Sequence, residues 1–216
     1  MNLKRFRKRT AYNAEKQNKA TNFTHLNKHY CKKNQTVIAG DSITEICNMD
    51  LYREYEKRNS VEVYNRGISG DTSDRLLERL QSNVLCLMPK NIVYLIGTND
   101  ITLGADENYV FGNIEEIICK TRDFCPDAKI ILLKVFPVYN KNRHFEKKKN
   151  AIIKRLNDKL DILEKRYGIT ILDLTEKLSD SRGVLNCKYT YDGLHPNVFG
   201  FEIETSEIVK LLEKKK

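Results

Sequence analysis

The chain has 216 residues, 40% apolar and 31% charged, with a formal net charge of +9. That length can bury a full core in one α/β domain, and no run of 18 apolar residues is present to span a bilayer, so no transmembrane segment is expected. A basic excess spread over one face would suit a nucleic-acid partner, but here ten of the 38 Lys and Arg and one of the 29 acids lie in residues 1–34, leaving a balanced remainder with 28 of each.

Residues 1–33 therefore read as a basic N-terminal extension with sparse apolar positions (Phe6, Tyr12, Phe23, Leu26, Tyr30), expected as a loosely docked helix or a partly disordered arm. Its opening, MNLKRFRKRT, has the charge of a signal peptide without the apolar stretch that should follow. The six cysteines (Cys31, Cys47, Cys86, Cys119, Cys125, Cys187) form no CxxC pair and read as free thiols, which makes the cytoplasm the expected location.

Residues 34–216 alternate short β-rich runs with helical patterns. TVIAG (36–40), VEVYN (61–65), IVYLIG (92–97), KIILLKVF (129–136) and ITILDL (169–174) read as strands, nearly continuous in apolar character, as strands covered on both faces are. Between them, Leu76, Leu77, Leu80 and Val84 make one helical stripe. Val110, Ile114, Ile117, Ile118 and Thr121 make a second, stopped by Pro126. Ile152, Ile153, Leu156, Leu160, Leu163 and Tyr167 make a third, ended by Gly168. A last helix carries Ile208, Leu211 and Leu212. Five alternations predict an α/β fold: a five-stranded parallel sheet in a three-layer α/β/α sandwich with right-handed crossovers.

In such sheets ligands gather at the carboxyl ends of the strands. The loops there read GDS (Gly40 to Ser42), NRGISGDTS (65–73), GTND (Gly97 to Asp100) and YDGLHPN (191–197). Taken singly each has a plain structural use. Ser42 can cap a helix, Gly70 can make a turn, Asn99 can satisfy a loop, and Asp192 and His195 can cap the last helix or bind a metal. Taken together they supply a hydroxyl, a base, an acid to orient it and donors for an oxyanion, which is what acyl transfer requires. Asp41 and Asp100 read as loop-fixing carboxylates. Arg66 is either a solvated arginine or a cation beside the cleft, and Tyr139 and His144 are candidates to border it.

The blocks GDSITE, NRGISGDTS, IGTND and DGLHPN, in that order, resemble the GDSL or SGNH hydrolases over roughly residues 35–215. The resemblance implies a flavodoxin-like sheet, Ser42 as nucleophile, Asp192 and His195 as its acid and base, and an oxyanion hole from Ser42, Gly70 and Asn99. Ile43 stands where the family name has leucine, and Thr98 where a glycine is frequent. No metal or organic cofactor is implied. The expected substrate is a small-molecule ester with a short acyl group, with lysophospholipids and acyl thioesters as alternatives. A nucleic-acid or anionic-surface binder on an inactive hydrolase scaffold is the alternative of another class; nucleic acid is not the expected partner, and nothing in the sequence gives the oligomeric state. Removing residues 1–33 is expected to leave hydrolysis of a small ester nearly unchanged.

Overall fold

The computed structural model describes residues 3–214, with side chains from residue 14 onward. The expected apolar positions Phe6 and Tyr12 and the basic side chains of Lys4, Arg5, Arg7, Lys8 and Arg9 lie outside the described ones. In chain order the elements are α1 (Leu3–His29), β1 (Thr36–Gly40), α2 (Ser42–Ile46), α3 (Arg53–Asn59), β2 (Val63–Gly67), α4 (Ser73–Asn83), β3 (Asn91–Leu95), α5 (Thr98–Thr102), α6 (Glu107–Phe124), β4 (Lys129–Leu133), α7 (Arg143–Tyr167), β5 (Thr170–Leu172), α8 (Thr175–Leu178) and α9 (Val198–Glu213).

The strands form one five-stranded parallel sheet in the order β2-β1-β3-β4-β5, the expected flavodoxin-like arrangement. Side chains alternate across it, as the two-residue period of a strand dictates. Val37, Ala39, Ile92, Tyr94, Ile130 and Leu132 face α4, α6 and α7, where they meet Leu76, Leu80, Ile114, Ile118 and Leu156. Ile38, Val93, Leu95, Ile131 and Leu133 face the other layer and meet Ile43, Tyr55, Leu178, Phe201 and Ile208. Burying a side chain such as Leu156 contributes about 1.5–3 kcal/mol, and the two faces together make the three layers. Among the described residues no helix is long and apolar enough to cross a membrane, and all six cysteines are free.

Boundaries move where side chains intercept backbone groups. β2 starts at Val63, two residues later than expected, because Ser60 turns the chain in the left-handed region and Val61 N–H still bonds to Glu56 of α3. Two of the outward N–H groups of this edge strand are taken up locally: Val63 donates to Glu56 Oε1 at 2.7 Å and Gly67 to Asn65 Oδ1 at 2.8 Å. β4 ends at Leu133, short of the expected Phe136, because α7 replaces a neighbouring strand. Asn157 accepts from Val135 N–H and donates to its carbonyl, and Asn150 does the same for Val138. α7 runs back to Arg143, where Asn142 caps it, and ends at Gly168 with φ of 61°.

From residue 14 onward α1 is fastened to the body. Asn27 Nδ2 donates to the carbonyls of Ser82 and Asn83, and Asn83 Nδ2 returns a bond to the Ala20 carbonyl. Arg66 is buried rather than solvated or open to a cleft. Its guanidinium bonds to Asn27 Oδ1 at 2.6 Å and lies over the rings of Phe23 and Tyr64. Both sequence readings of Arg66 are corrected by its task of holding the N-terminal helix.

Candidate active site

β1 lies between β2 and β3, so the loops leaving these three strands converge at the carboxyl edge of the sheet. Asp41, not Ser42, caps α2: its buried carboxylate accepts the Ile43 N–H at 3.0 Å. This corrects the idea that Ser42 caps the helix. As the first helical residue, Ser42 has a backbone N–H with no partner within the helix, and its side chain turns to the loop beyond β5.

There Ser42 Oγ stands 2.9 Å from His195 Nε2, and His195 Nδ1 stands 2.7 Å from Asp192 Oδ2. The carboxylate partner assigns the ring proton to Nδ1 and leaves Nε2 to accept from the hydroxyl. Asp192 Oδ1 accepts the N–H of Leu194 at 2.9 Å and of His195 at 2.8 Å, so one carboxylate shapes the turn and orients the ring. Burial pushes this carboxyl up, but the bonds from His195 and Leu194 outweigh it and hold it below the usual carboxylate range. Thr190 closes the turn, accepting Gly193 N–H and donating to the His195 carbonyl.

Gly70 takes a left-handed φ of 68° in the loop after β2. Asn99, at the start of α5, donates from Nδ2 to the Asp71 carbonyl at 2.9 Å and reaches Asp41 Oδ2 at 3.4 Å. Asp100 holds the N-terminus of α4 by accepting the N–H and hydroxyl of Ser73. Burial raises Asp41 to about 7, against the Ile43 N–H and His195, and Asp100 to about 6, against the Ser73 bonds. Both are loop-fixing groups, as expected.

Tyr139 borders the His195 loop through a backbone bond to Gly193. His144 is exposed on the first turn of α7, and among the described residues no bond joins it to the Ser42 cluster. Thr98 is buried beneath the site. Among the described residues no group of three or more His, Cys, Asp or Glu is gathered as a metal site needs. The sequence reading missed Asp71 and Arg79, a buried ion pair at 2.7 Å whose Arg79 Nη2 also donates to the Gly40 carbonyl at 3.1 Å. The signal for Asp71 was its place directly after Gly70; Arg79 had none, since its neighbours one turn away, Arg75, Leu76, Ser82 and Asn83, are mostly polar.

The structure resembles a Streptococcus pneumonia protein provisionally described as a platelet activating factor, at 27% identity and a TM-score of 0.83, covering 98% of this chain and 99% of that one. It also resembles a GDSL-like lipase from Bacteroides thetaiotaomicron VPI-5482, at 26% identity and a TM-score of 0.77, covering 90% and 97%. In sequence it is 29% identical over 182 residues to an N-acylneuraminate cytidylyltransferase of Escherichia coli O18:K1:H7 (strain RS218 / NMEC), a match that takes in 80% of this chain and only 41% of that larger protein. Residues 38–203 match the model of the GDSL-like lipase/acylhydrolase family, a span that contains the whole Ser42, Gly70, Asn99, Asp192 and His195 cluster. The chain belongs to that family of hydrolases.

Proposed function

We propose that the protein is a serine esterase that cleaves carboxylic esters of small acyl groups through an acyl-enzyme. The observation that carries this is the line from Ser42 Oγ to His195 Nε2 at 2.9 Å and from His195 Nδ1 to Asp192 at 2.7 Å. His195 Nε2 takes the hydroxyl proton as Oγ attacks the ester carbonyl, and Asp192 stabilises the imidazolium that forms. The carbonyl oxygen, now an anion, is met by the N–H groups of Ser42 and Gly70 and by Asn99 Nδ2. The imidazolium returns its proton to the departing alkoxide, and the alcohol leaves. Water then adds to the acyl-enzyme, giving its proton to His195, and His195 passes it to Ser42 Oγ as the bond to the acyl group breaks, which releases the acid and restores the free serine.

A short acyl group is favoured by the connections after β3 and β4. Four residues part α5 from α6 and nine part β4 from α7, at 103–106 and 134–142, so little apolar wall is available. Each buried methylene contributes about 0.8 kcal/mol only where such a wall exists. The test is a series of p-nitrophenyl esters from acetate to palmitate beside acyl-CoA thioesters, with fluorophosphonate labelling and peptide mass spectrometry. A kcat/KM that peaks between acetyl and hexanoyl, with the label on Ser42 alone, is expected. A steady rise to palmitate points to a lysophospholipase or long-chain thioesterase, and no label on the folded protein overturns the enzyme reading.

A second reading concerns the alcohol. The likeness to a protein named for N-acylneuraminate favours an ester carried on an acidic sugar of that kind. Acetate release from an O-acetylated N-acylneuraminate at least tenfold faster than from O-acetylated xylose supports it, and equal rates dismiss it.

A further inference from the structure

The N-terminal helix is bonded to the loop that carries Gly70. Lys16 Nζ donates to the Gly70 carbonyl oxygen and stands 3.5 Å from Asp71 Oδ1. One turn further along α1, Lys19 pairs with Glu45 of α2, whose other carboxylate oxygen accepts the Ser69 N–H. Residues 69–71 are thus tied to α1 twice, directly through Lys16 and by way of Lys19 through Glu45 of α2. From Asp71 direct contacts lead on: its carboxylate to Arg79 and thence the Gly40 carbonyl at the end of β1, and its carbonyl to Asn99 Nδ2.

Lys16 is 7% exposed, although a lysine on a basic arm ordinarily extends into water. Taking an ammonium out of solvent is costly, and burial pushes this one down to about 8 while Asp71 opposes the shift. Docking of α1 does not require it, because Asn27, about three turns away, already ties the helix to Arg66, Ser82 and Asn83. What Lys16 grips is a peptide group with little stiffness of its own. The N–H and C=O of Gly70 flank one Cα, and a residue without Cβ rotates one against the other at low cost. A bond to the carbonyl limits that rotation and with it the direction of the N–H.

We propose that Lys16 is a positioning residue for ester hydrolysis, holding the Gly70 peptide so that its N–H faces the oxyanion and making the N-terminal helix part of the catalytic unit. This rests on the acyl-enzyme reading above, and it replaces the expectation that residues 1–33 are dispensable for hydrolysis. The lysine touches no reacting atom; it acts through the Gly70 peptide.

The test compares the wild-type chain with Lys16→Met, which keeps the apolar stem, and Lys16→Arg, which keeps the charge. Each is assayed for kcat and KM on p-nitrophenyl acetate and for Ki of a trifluoromethyl ketone, which forms a tetrahedral adduct with the serine. Ki does not depend on how much of a preparation is folded. Lys16→Met is expected to lower kcat 10- to 100-fold with KM within about twofold, to raise Ki in parallel, and to be rescued to within about fivefold by Lys16→Arg. If Lys16→Met cannot be isolated folded, Lys16→Gln takes its place with the same readouts. An unchanged kcat, or a loss of activity with Ki unmoved, overturns the proposal while leaving the esterase reading intact. A wild-type protein that neither hydrolyses the ester nor binds the ketone removes the esterase reading and this one with it.

Discussion

Gly193 packs its Cα directly against the backbone of Tyr139. The Tyr139 N–H donates to the Gly193 carbonyl at 2.8 Å, and a Cβ at position 193 would stand 2.3 Å from the Tyr139 carbonyl oxygen. With φ at +87° the position also lies where side chains are strained. The loop after β4 and the turn that carries Asp192 and His195 are therefore joined at a point with room for hydrogen only.

Gly193→Ala should push the turn away from β4 and carry His195 off Ser42. Misplacement by about 1 Å costs on the order of 100-fold in rate, so kcat on a short-chain ester should fall by at least that much in a variant with an unchanged circular dichroism spectrum. Wild-type kcat would mean that the turn yields without moving the imidazole.

Asn99→Ala removes a donor aimed between Asp41 and the Asp71 carbonyl. If the amide also meets the oxyanion, kcat should drop about 10²- to 10³-fold with KM little changed. The lost bond to Asp71 should lower Tm by only about 2–4 °C. A variant that loses stability but keeps kcat would confine Asn99 to holding the loop.

Glu204, on α9, is a buried carboxyl whose Oε2 has no hydrogen-bond partner among the described residues. Burial, helped by the nearby Asp41, raises it from 4.5 to about 8. The folded chain then binds this proton more tightly than the unfolded one. Stability from this group is full below about 4.5 and is lost as pH rises to about 8. Glu204→Gln, neutral at every pH, should match the wild type in Tm near pH 4.5 and exceed it at pH 8.5 by up to about 5 kcal/mol, roughly 10–20 °C in a chain of this size. A difference independent of pH would show that Glu204 does not titrate in this window.

The sheet was legible because both of its faces are covered, which leaves strands such as Lys129–Leu133 apolar without a break from Ile130 onward. Strand ends were less so. Where Asn157 and Asn150 take over backbone bonds, apolar residues up to Val138 continue outside any strand, and no local pattern marks the change. Of the candidate site, Ser42, Gly70 and Asn99 could be singled out because each sits in a short polar block after a strand, and Asp192 and His195 because they share one such block just before the last helix. Lys16 could not, since nothing local distinguishes it from the other nine basic residues of its segment; its burial is set by Gly70 and Asp71, more than fifty positions away.

The local bonds at β2 bear on how the protein behaves at high concentration. This strand borders the sheet, and a bordering strand normally offers its free N–H groups as a template on which a neighbouring molecule can lay a strand of its own. At Val63 and Gly67 those donors are already spent on Glu56 and Asn65. The opposite border, Thr170–Leu172, is only three residues long, and the Ile171 N–H reaches Glu164. Both borders are therefore poorer seeds for intermolecular β-pairing than bare edge strands, which shifts self-association of the folded chain toward side-chain surfaces and away from an extended sheet.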